Sequence, residues 1–446
     1  MATIWFKQAL LPAGWAEDVR ISFSARIEAV ELGVAPQPQD DRRAIGAPGL
    51  ANVHSHGFQR ALLAETRGPA GDNFWTWRVE MYRFLDRLTP EDVAAITAQA
   101  YCDMLQGGFT RVGEFHYLHH DPSGAPYADL GIMAKAVAHA AEEAGIGLTL
   151  LPVLYAHADF GGAPPLPGQR RFICDLDSFG RLVDASGAAL PAGANLGVAP
   201  HSLRAVTPQE LAFAASLAPN GPIHIHAAEQ VREVEACQAW SGMRPVEWLL
   251  ANAEVDQRWT LIHATHVNAS ETAALARSGA QAGLCPVTEA NLGDGIFPTP
   301  DYLAQAGAFG VGTDSNIAID AAAELRMLEY AQRLTRRARN VLAPSEGAST
   351  GAALFRAACA GGARSLGVET GLAPGAPADF FSFNAEHPSL AGRTRDELLD
   401  AWVFSAGAGA IDAVWAMGEK RVEGGRHVKA EAIARDFAKT VRKLRA

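Results

Sequence analysis

Between residues 47 and 366, short apolar runs alternate with alanine-rich stretches that are long enough for helices. Eight of the runs have the length and composition of buried β-strands. They read GLANVH, FTRVGEF, GLTLLPVLY, ANLGVAP, PIHIHAA, WTLIHAT, AQAGLCP and FGVGTD. Strands that alternate with amphipathic helices form parallel sheets, and eight of them close a (β/α)8 barrel. The sequence therefore predicts an α/β fold with a TIM-type barrel over residues 47–366.

The two ends of the chain have a different pattern of apolar and polar residues. Residues 1–46 and 367–446 contain alternating apolar and polar runs such as VRISFSARIEAVELG and IDAVWAMGEKRVEGGRHV. This period is typical of half-buried strands. We expect both ends to form one small β-sandwich-like domain, with a helix at the C-terminus and the barrel inserted between them.

Composition excludes several classes of protein. The 446 residues carry a net charge of −11 without a basic patch, so we expect no nucleic-acid partner. No apolar run is long enough to span a membrane. The five cysteines are odd in number and widely spread, which favours a reducing cytoplasm over a disulfide framework or a cysteine zinc site. They are Cys102, Cys174, Cys237, Cys285 and Cys359.

Histidines and carboxylates fall at the ends of the predicted strands. His54 and His56 form an H-x-H pair at the end of the first barrel strand, where residues i and i+2 face the same side. Other candidates follow later strands: His226, with Glu229 three residues beyond it, His263 and Asp314. In such barrels, polar side chains at the carboxyl ends of strands are typical of catalytic groups.

Each of these features also has an ordinary structural interpretation. An isolated H-x-H pair usually binds nothing, His224 and His226 could be hydrogen-bonded core histidines, and Asp314 could cap a helix. The combination, in chain order and on separate strands, favours a metal site. Imidazoles with a carboxylate and one open position are typical of catalytic zinc, which makes water a nucleophile near neutral pH.

The same residues suggest how such a site would act. Glu229 is placed to carry a proton to a leaving nitrogen, His263 to orient the attacking oxygen, and Asp314 to accept the proton of the water. Lys135 is the single lysine between residues 46 and 419 and belongs to an amphipathic stretch. A two-metal centre bridged by a carbamylated lysine would need a lysine at a strand end, so we expect one metal ion.

Several strings together resemble a known family. The pattern of H-x-H, H-x-x-E, a later histidine and a final aspartate resembles the mononuclear deaminase branch of the amidohydrolase superfamily. The strings NVHSHGFQRAL, NFWTWR, EFHYLHH, HSLRAVTP, HIHAAEQ, CQAWSG, HATH, TEANLGDGIFP and TDS resemble the formiminoglutamate deiminases of bacterial histidine degradation. The variants Pro286 and Val287 in CPVTEAN, and Asn316 in TDSN, remove no expected functional group.

The resemblance implies hydrolysis of N-formimino-L-glutamate to N-formyl-L-glutamate and ammonia. It implies one divalent ion, zinc by preference, held by His54, His56, His226 and Asp314. Glu229 and His263 would be the catalytic pair, with Asp314 beside them. The dicarboxylate substrate would be bound by Gln59, Arg78, Tyr117, His201 and Arg204.

The residues themselves agree with an anionic substrate, although alternatives stay open. A guanidinium binds a carboxylate through two parallel hydrogen bonds, which suits Arg78 and Arg204; either could be a surface charge, and Tyr117 an ordinary buried phenol. The aromatic residues Phe74, Trp75 and Trp77 could have a role at the site, or they could equally well only pack within a lid. The overall negative charge opposes an anionic substrate, so local arginines would have to outweigh it.

Other functions compete with this prediction. The substrate could be formiminoaspartate, or a cyclic amidine such as a purine or pterin. An inactive barrel that serves as a scaffold is a third possibility. The absence of metal-ligating residues from the sequence would indicate it. We also expect a loop near the barrel mouth over residues 156–171, and the family suggests a homodimer.

Overall fold

The computed structural model describes residues 1–62 and 74–445. Asn73, the first residue of the string NFWTWR, lies outside the described residues. Seventeen strands occur within these ranges: β1 (Ala2–Leu11), β2 (Gly14–Phe23), β3 (Ile27–Glu31), β4 (Asp41–Pro48), β5 (Leu50–Ser55), β6 (Phe109–His116), β7 (Gly147–Leu154), β8 (Asn195–Leu196), β9 (Ala199–Pro200), β10 (Ile223–Ala227), β11 (Trp259–His263), β12 (Gln281–Leu284), β13 (Ala308–Val311), β14 (Phe380–Phe383), β15 (Ile411–Ala416), β16 (Glu419–Glu423) and β17 (Arg426–His427).

The same ranges contain fourteen α-helices: α1 (Phe74–Leu85), α2 (Pro90–Gln106), α3 (Ile132–Ala144), α4 (Leu176–Ala188), α5 (Pro208–Ser216), α6 (Val231–Ser241), α7 (Pro245–Asn252), α8 (Ala269–Ser278), α9 (Pro286–Leu292), α10 (Thr299–Leu303), α11 (Ala321–Arg336), α12 (Thr350–Ser365), α13 (Asp396–Ala401) and α14 (Ala430–Arg445). Several begin at reciprocal capping boxes. At the start of α2, the Thr89 side chain accepts from Asp92 N and the Asp92 side chain accepts from Thr89 N. Such caps satisfy two otherwise unpaired N–H groups at the helix start.

The eight predicted barrel strands form one parallel barrel. The order is β10-β11-β12-β13-β5-β6-β7-β8, and β9 pairs with β7. Bridges from Val198 to Ile223 and from Ser202 to His226 join the two edges. The fourth strand is split at Gly197, where a Cβ would lie 2.4 Å from the Pro222 carbonyl. The predicted TIM-type fold is confirmed.

Both chain ends contribute to a second, mainly antiparallel sheet. Its order is β17-β16-β15-β14-β4-β1-β2-β3, in which β4 pairs parallel with β1. Three strand spacings, about 14 Å in a flat sheet, separate β2 from β14. The rings of Phe23 and Phe380 are nevertheless 5.3 Å apart. The small domain is thus one sheet that curls over its own core, and the limits 1–46 with 367–446 stay a prediction.

The end of α12 fills the amino-terminal end of the barrel. His224 Nε2 donates to the Ser365 carbonyl at 2.8 Å, and Thr149 Oγ1 donates to the Leu366 carbonyl at 3.2 Å. A Cβ on Gly113 would lie 2.5 Å from the Leu366 side chain. His224 is therefore a hydrogen-bonded core histidine, which is the structural role that the sequence analysis set against a metal-binding one.

All five cysteines are buried and unbridged. Among the described helices, none has the length and apolar character needed to cross a bilayer.

Candidate active site

Five side chains from four barrel strands meet at the carboxyl-terminal end of the barrel. Nε2 of His54 lies 3.1 Å from Nε2 of His226. Oδ1 of Asp314 lies 3.5 Å from His54 Nε2 and 3.3 Å from His56 Nε2. The buried donors that could share an ion are His54, His56, His226, His263 and Asp314, with Cys285 near the last two. The fold thus brings together the metal-site candidates that the sequence singled out at the strand ends.

The imidazoles have the protonation state that a cation requires. His56 Nδ1 lies 2.9 Å from the Phe115 carbonyl, and His226 Nδ1 lies 3.1 Å from the His201 carbonyl. A carbonyl only accepts, so each Nδ1 carries the proton and each Nε2 presents a lone pair to the centre. Burial lowers the pKa of His54 to about 3, which keeps that ring neutral. These residues fit a divalent ion.

Asp314 supplies a negative charge at the same point. Burial alone would raise the pKa of its carboxyl, but the neighbouring His54 and His56 outweigh burial and lower it. The backbone fixes its position, because Asp314 N donates to the His54 carbonyl and His56 N donates to the Asp314 carbonyl, each at 2.9 Å. The carboxylate and the H-x-H pair therefore form one rigid unit.

Glu229 and His263 lie together beside this unit. His263 Nε2 is 3.8 Å from Glu229 Oε1 and 3.9 Å from Asp314 Oδ2. Burial raises the pKa of Glu229. Burial lowers the pKa of His263, but the carboxylates of Glu229, Glu289 and Asp314 outweigh it and raise the pKa to about 10. A protonatable carboxyl thus faces a cationic imidazole.

Glu289, which the sequence analysis missed, anchors His263. Its Oε1 lies 3.3 Å from His263 Nδ1 and accepts from Cys285 N at 2.9 Å. The only sequence signal was its presence in TEANLGDGIFP, since nothing in the spacing predicts that α9 returns a carboxylate to the end of β11.

Strand ends at the site adopt unusual backbone conformations. Ala228, His263 and Asp314 have positive φ values of 52°, 65° and 44°. Left-handed geometry is unfavourable for residues with a Cβ and concentrates at functional sites. The strained backbone thus lies at the strand ends that carry His263, Asp314 and, directly after Ala228, Glu229.

A cavity opens directly onto this cluster. The residues that line it are His56, Gln59, Trp77, Arg78, Met81, Tyr82, Tyr117, Tyr155, Phe172, His201, Arg204, His226, Glu229, His263, Leu292 and Asp314. All five predicted substrate-binding residues are among them. Met81, Tyr82, Tyr155, Phe172 and Leu292 were missed, because apolar and phenolic wall residues have no distinguishing sequence pattern.

Two of the predicted substrate-binding residues interact directly. Gln59 Nε2 donates to the Tyr117 hydroxyl at 2.9 Å, from the short turn that follows His56. Tyr117 is buried, and burial raises the pKa of its phenol well above the ordinary value. The phenol therefore stays neutral and serves as a hydrogen-bonding group in the wall.

Arg78 and Arg204 bring positive charge into the cavity from two elements. Arg78 lies on α1, where its guanidinium is 4.7 Å from the Trp75 ring and 5.7 Å from the Tyr82 ring. Arg204 follows β9 and is buried. Two cations in one cavity form a suitable environment for carboxylate groups.

The segment 156–171 borders the cavity, as expected, since the wall residues Tyr155 and Phe172 flank it. Gln169 connects the segment to the wall. Its Oε1 accepts from Leu166 N at 2.7 Å, and its Nε2 donates to the Tyr155 hydroxyl at 2.8 Å. The segment thus supports the cavity wall through a buried amide.

Comparison with known proteins places this architecture in a family. Residues 45–421 match the model described as "Amidohydrolase family". The chain belongs to the amidohydrolase family. Residues 1–44 of this amidohydrolase match the model described as "Formimidoylglutamate deiminase HutF, N-terminal domain".

Two curated proteins of Pseudomonas aeruginosa are informative relatives. The chain is 48% identical over 457 positions to a formimidoylglutamate deiminase, and the alignment covers the whole of both proteins. It is 29% identical to an 8-oxoguanine deaminase, with 88% of each chain covered.

Solved structures agree with the fold. An amidohydrolase from Brucella melitensis is 52% identical, with a TM-score of 0.96 and full coverage of both chains. An adenosine deaminase from Xanthomonas campestris with bound zinc has a TM-score of 0.82 at 22% identity, covering 100% of this chain and 98% of the other. At that identity the likeness shows the fold alone.

Proposed function

We propose that this amidohydrolase hydrolyses N-formimino-L-glutamate to N-formyl-L-glutamate and ammonia. The observation that carries the proposal is one cavity that combines the histidine–aspartate cluster with two arginines. The full-length similarity to a formimidoylglutamate deiminase supports the same substrate. Water adds to the formimino carbon, the bond from that carbon to the terminal nitrogen breaks, and the nitrogen leaves as ammonia.

We infer that His54, His56, His226 and Asp314 hold one divalent ion, and that the ion is zinc. Imidazole and carboxylate donors around an open position suit zinc. Such an ion lowers the pKa of water enough to supply a nucleophile near pH 7. The single lysine of the barrel region, Lys135, lies on α3 and pairs with Asp129 at 2.6 Å, which supports a single ion.

Glu229 transfers the proton, and His263 provides a positive charge beside it. The buried Glu229 carboxyl exchanges a proton near neutral pH, so it accepts one from the attacking water and delivers it to the leaving nitrogen. His263 remains cationic between Glu229, Glu289 and Asp314, and its charge stabilises the negative charge that develops as water adds. Asp314 fixes the geometry of attack.

Arg78 and Arg204 bind the two carboxylates of the substrate, with Gln59, Tyr117 and His201 completing the wall. Burial, with Arg204 and other nearby cations, lowers the pKa of His201 far below its ordinary value, so this ring is neutral and hydrogen-bonds without adding charge. The protein carries a net charge of −11, so these local cations determine which anions enter. A cytoplasmic location and a homodimer stay predictions.

Ammonia release from zinc-loaded protein tests the proposal. N-formimino-L-glutamate is compared with N-formimino-L-aspartate and with purine and pterin amidines. We expect turnover of the glutamate derivative, and a loss of at least about 100-fold in Glu229→Gln, because general acid–base catalysis contributes that much. Glu229→Gln should retain its zinc by metal analysis. Turnover of a cyclic amidine alone, or equal activity in the variant, would contradict the proposal.

A further inference from the structure

Glu233 is a buried carboxylate close to Glu229 that has no place in the reaction described above. It lies in the first turn of α6, and its side chain is 1% exposed. A glutamate at this helical position commonly accepts from the N–H of the capping residue, which here is Gln230. The Glu233 carboxylate instead accepts from backbone N–H groups of residues that precede Gln230.

The Glu233 carboxylate accepts from two consecutive backbone N–H groups. Ala228 N donates to Oε1 and Glu229 N donates to Oε2, each at 3.2 Å. Ala228 has a φ of 52°, and consecutive N–H groups in such a turn form an anion-binding concavity. Glu233 therefore stabilises the strained turn from which the Glu229 side chain projects.

The other side of Glu233 faces Arg204. Arg204 Nε lies 3.9 Å from Glu233 Oε2, and both side chains are buried. The distance is too long for a hydrogen bond, yet opposite charges this close in a buried site attract each other strongly. Within the described part of the chain, Arg204 Nε has no hydrogen-bond acceptor. The Nε edge of the guanidinium thus faces Glu233, while Arg204 also lines the cavity.

We propose that Glu233 is a positioning residue that connects the carboxylate-binding Arg204 to Glu229. It fixes the backbone turn of Glu229 and holds the Nε edge of Arg204, which leaves the rest of the guanidinium for the substrate. Glu233 acts through these two residues and is absent from the cavity wall. The inference rests on the proposed function, because that function gives Arg204 and Glu229 their roles.

Glu233→Gln tests the connection. Glutamine offers one acceptor oxygen, so its NH₂ group must face one of the two backbone donors, and the charge opposite Arg204 is lost. We expect kcat per folded, zinc-loaded molecule to fall at least tenfold, because Glu229 is misplaced. We expect KM to rise, because the carboxylate that orients the Nε edge of Arg204 is lost.

Glu235→Gln is the matched control. Glu235 lies on the same helix but is exposed, so we expect its kcat and KM to stay within twofold of the wild type. Glu233→Asp is the second variant in case the glutamine variant does not fold. It keeps the charge but is one methylene too short to reach both N–H groups, so kcat should fall at unchanged KM.

A purely structural role gives a different result. If Glu233 only stabilises α6, its variants have a lower Tm but wild-type kcat and KM per folded molecule, and the proposal is overturned. An unchanged KM in Glu233→Gln also overturns it, because Arg204 would then keep its position without Glu233.

Calorimetric binding of glutarate separates this inference from the proposed substrate. Glutarate carries two carboxylates and no reacting group. Wild-type protein that binds glutarate but does not turn over N-formimino-L-glutamate contradicts the proposed function only, and Glu233→Gln should then still bind glutarate more weakly than the wild type. Binding of equal strength in that variant, or none in the wild type, overturns the role given to Glu233.

Discussion

Asn316 holds the reactive side chains in place before any ion or substrate binds. Its Nδ2 donates to Ser55 Oγ at 3.0 Å and to the His56 carbonyl at 3.1 Å. Its Oδ1 accepts from Thr313 Oγ1 at 2.6 Å, and Thr313 Oγ1 accepts from Asn52 Nδ2 at 2.7 Å. These buried bonds join the end of β5 to the turn that carries Asp314, so the geometry is preorganised.

Arg204→Met tests the anionic substrate at the level of one residue. If a substrate carboxylate meets this guanidinium, its removal should lower kcat/KM for N-formimino-L-glutamate about 100-fold, equivalent to ~3 kcal/mol. Arg181→Met, at an exposed position of α4, is the control and should change little. Steady-state ammonia release measures both, and a change of less than threefold in Arg204→Met would exclude a carboxylate at this position.

Glu114 joins three elements behind the H-x-H pair. It lies on β6, where its Oε1 accepts from Gly57 N at 2.6 Å and its Oε2 accepts from the Tyr101 hydroxyl of α2 at 3.0 Å. The side chain is fully buried. Burial raises the pKa of this carboxyl from the ordinary value of 4.5 to about 7, although its hydrogen bonds lower it in part.

This pKa predicts how stability depends on pH. Above pH 4.5 the unfolded chain releases the proton before the folded protein does, so the contribution of protonated Glu114 is complete below pH 4.5 and is lost as pH rises toward 7. The loss amounts to ~3 kcal/mol in the free energy of unfolding. Urea unfolding at pH 5 and pH 8 should therefore show a smaller pH difference in Glu114→Gln than in the wild type. Equal differences in the two proteins would refute this assignment.

The elements of the fold were more predictable than the contacts between their side chains. The strand-end positions of His54, His56, His226, His263 and Asp314 follow from chain order alone, because parallel strands of a barrel end on one face. Glu233 and Glu289 were missed, since a carboxylate returned by a helix leaves no periodic signal. The break of the fourth strand at Gly197 depends on the Pro222 carbonyl, a contact that no local pattern predicts.

The small sheet provides a test at the scale of the whole molecule. Phe380 is fully buried, and its ring is 6.0 Å from Phe6, 5.3 Å from Phe23 and 5.0 Å from Trp415. Phe380→Ala should lower the free energy of unfolding by ~3–5 kcal/mol. Activity per folded molecule should be unchanged, because Phe380 is not part of the cavity wall.

Denaturant unfolding and ammonia release are measured on the same preparations. Val428→Ala, at a side chain that is 58% exposed, serves as the control and should shift stability by less than ~0.5 kcal/mol. Loss of kcat in folded Phe380→Ala would show that the small sheet takes part in shaping the cavity.

The end of α12 closes the barrel at its amino-terminal end. Ser365 and Leu366 close this end through hydrogen bonds to His224 and Thr149. Substrate entry and product release must therefore both use the carboxyl-terminal end. N-formyl-L-glutamate keeps both carboxylates and would bind the two arginines until it dissociates. Until then, the next substrate molecule cannot bind. We therefore expect N-formyl-L-glutamate to inhibit competitively, raising apparent KM without changing maximal velocity; a noncompetitive pattern would show that it also binds an enzyme form other than the free enzyme.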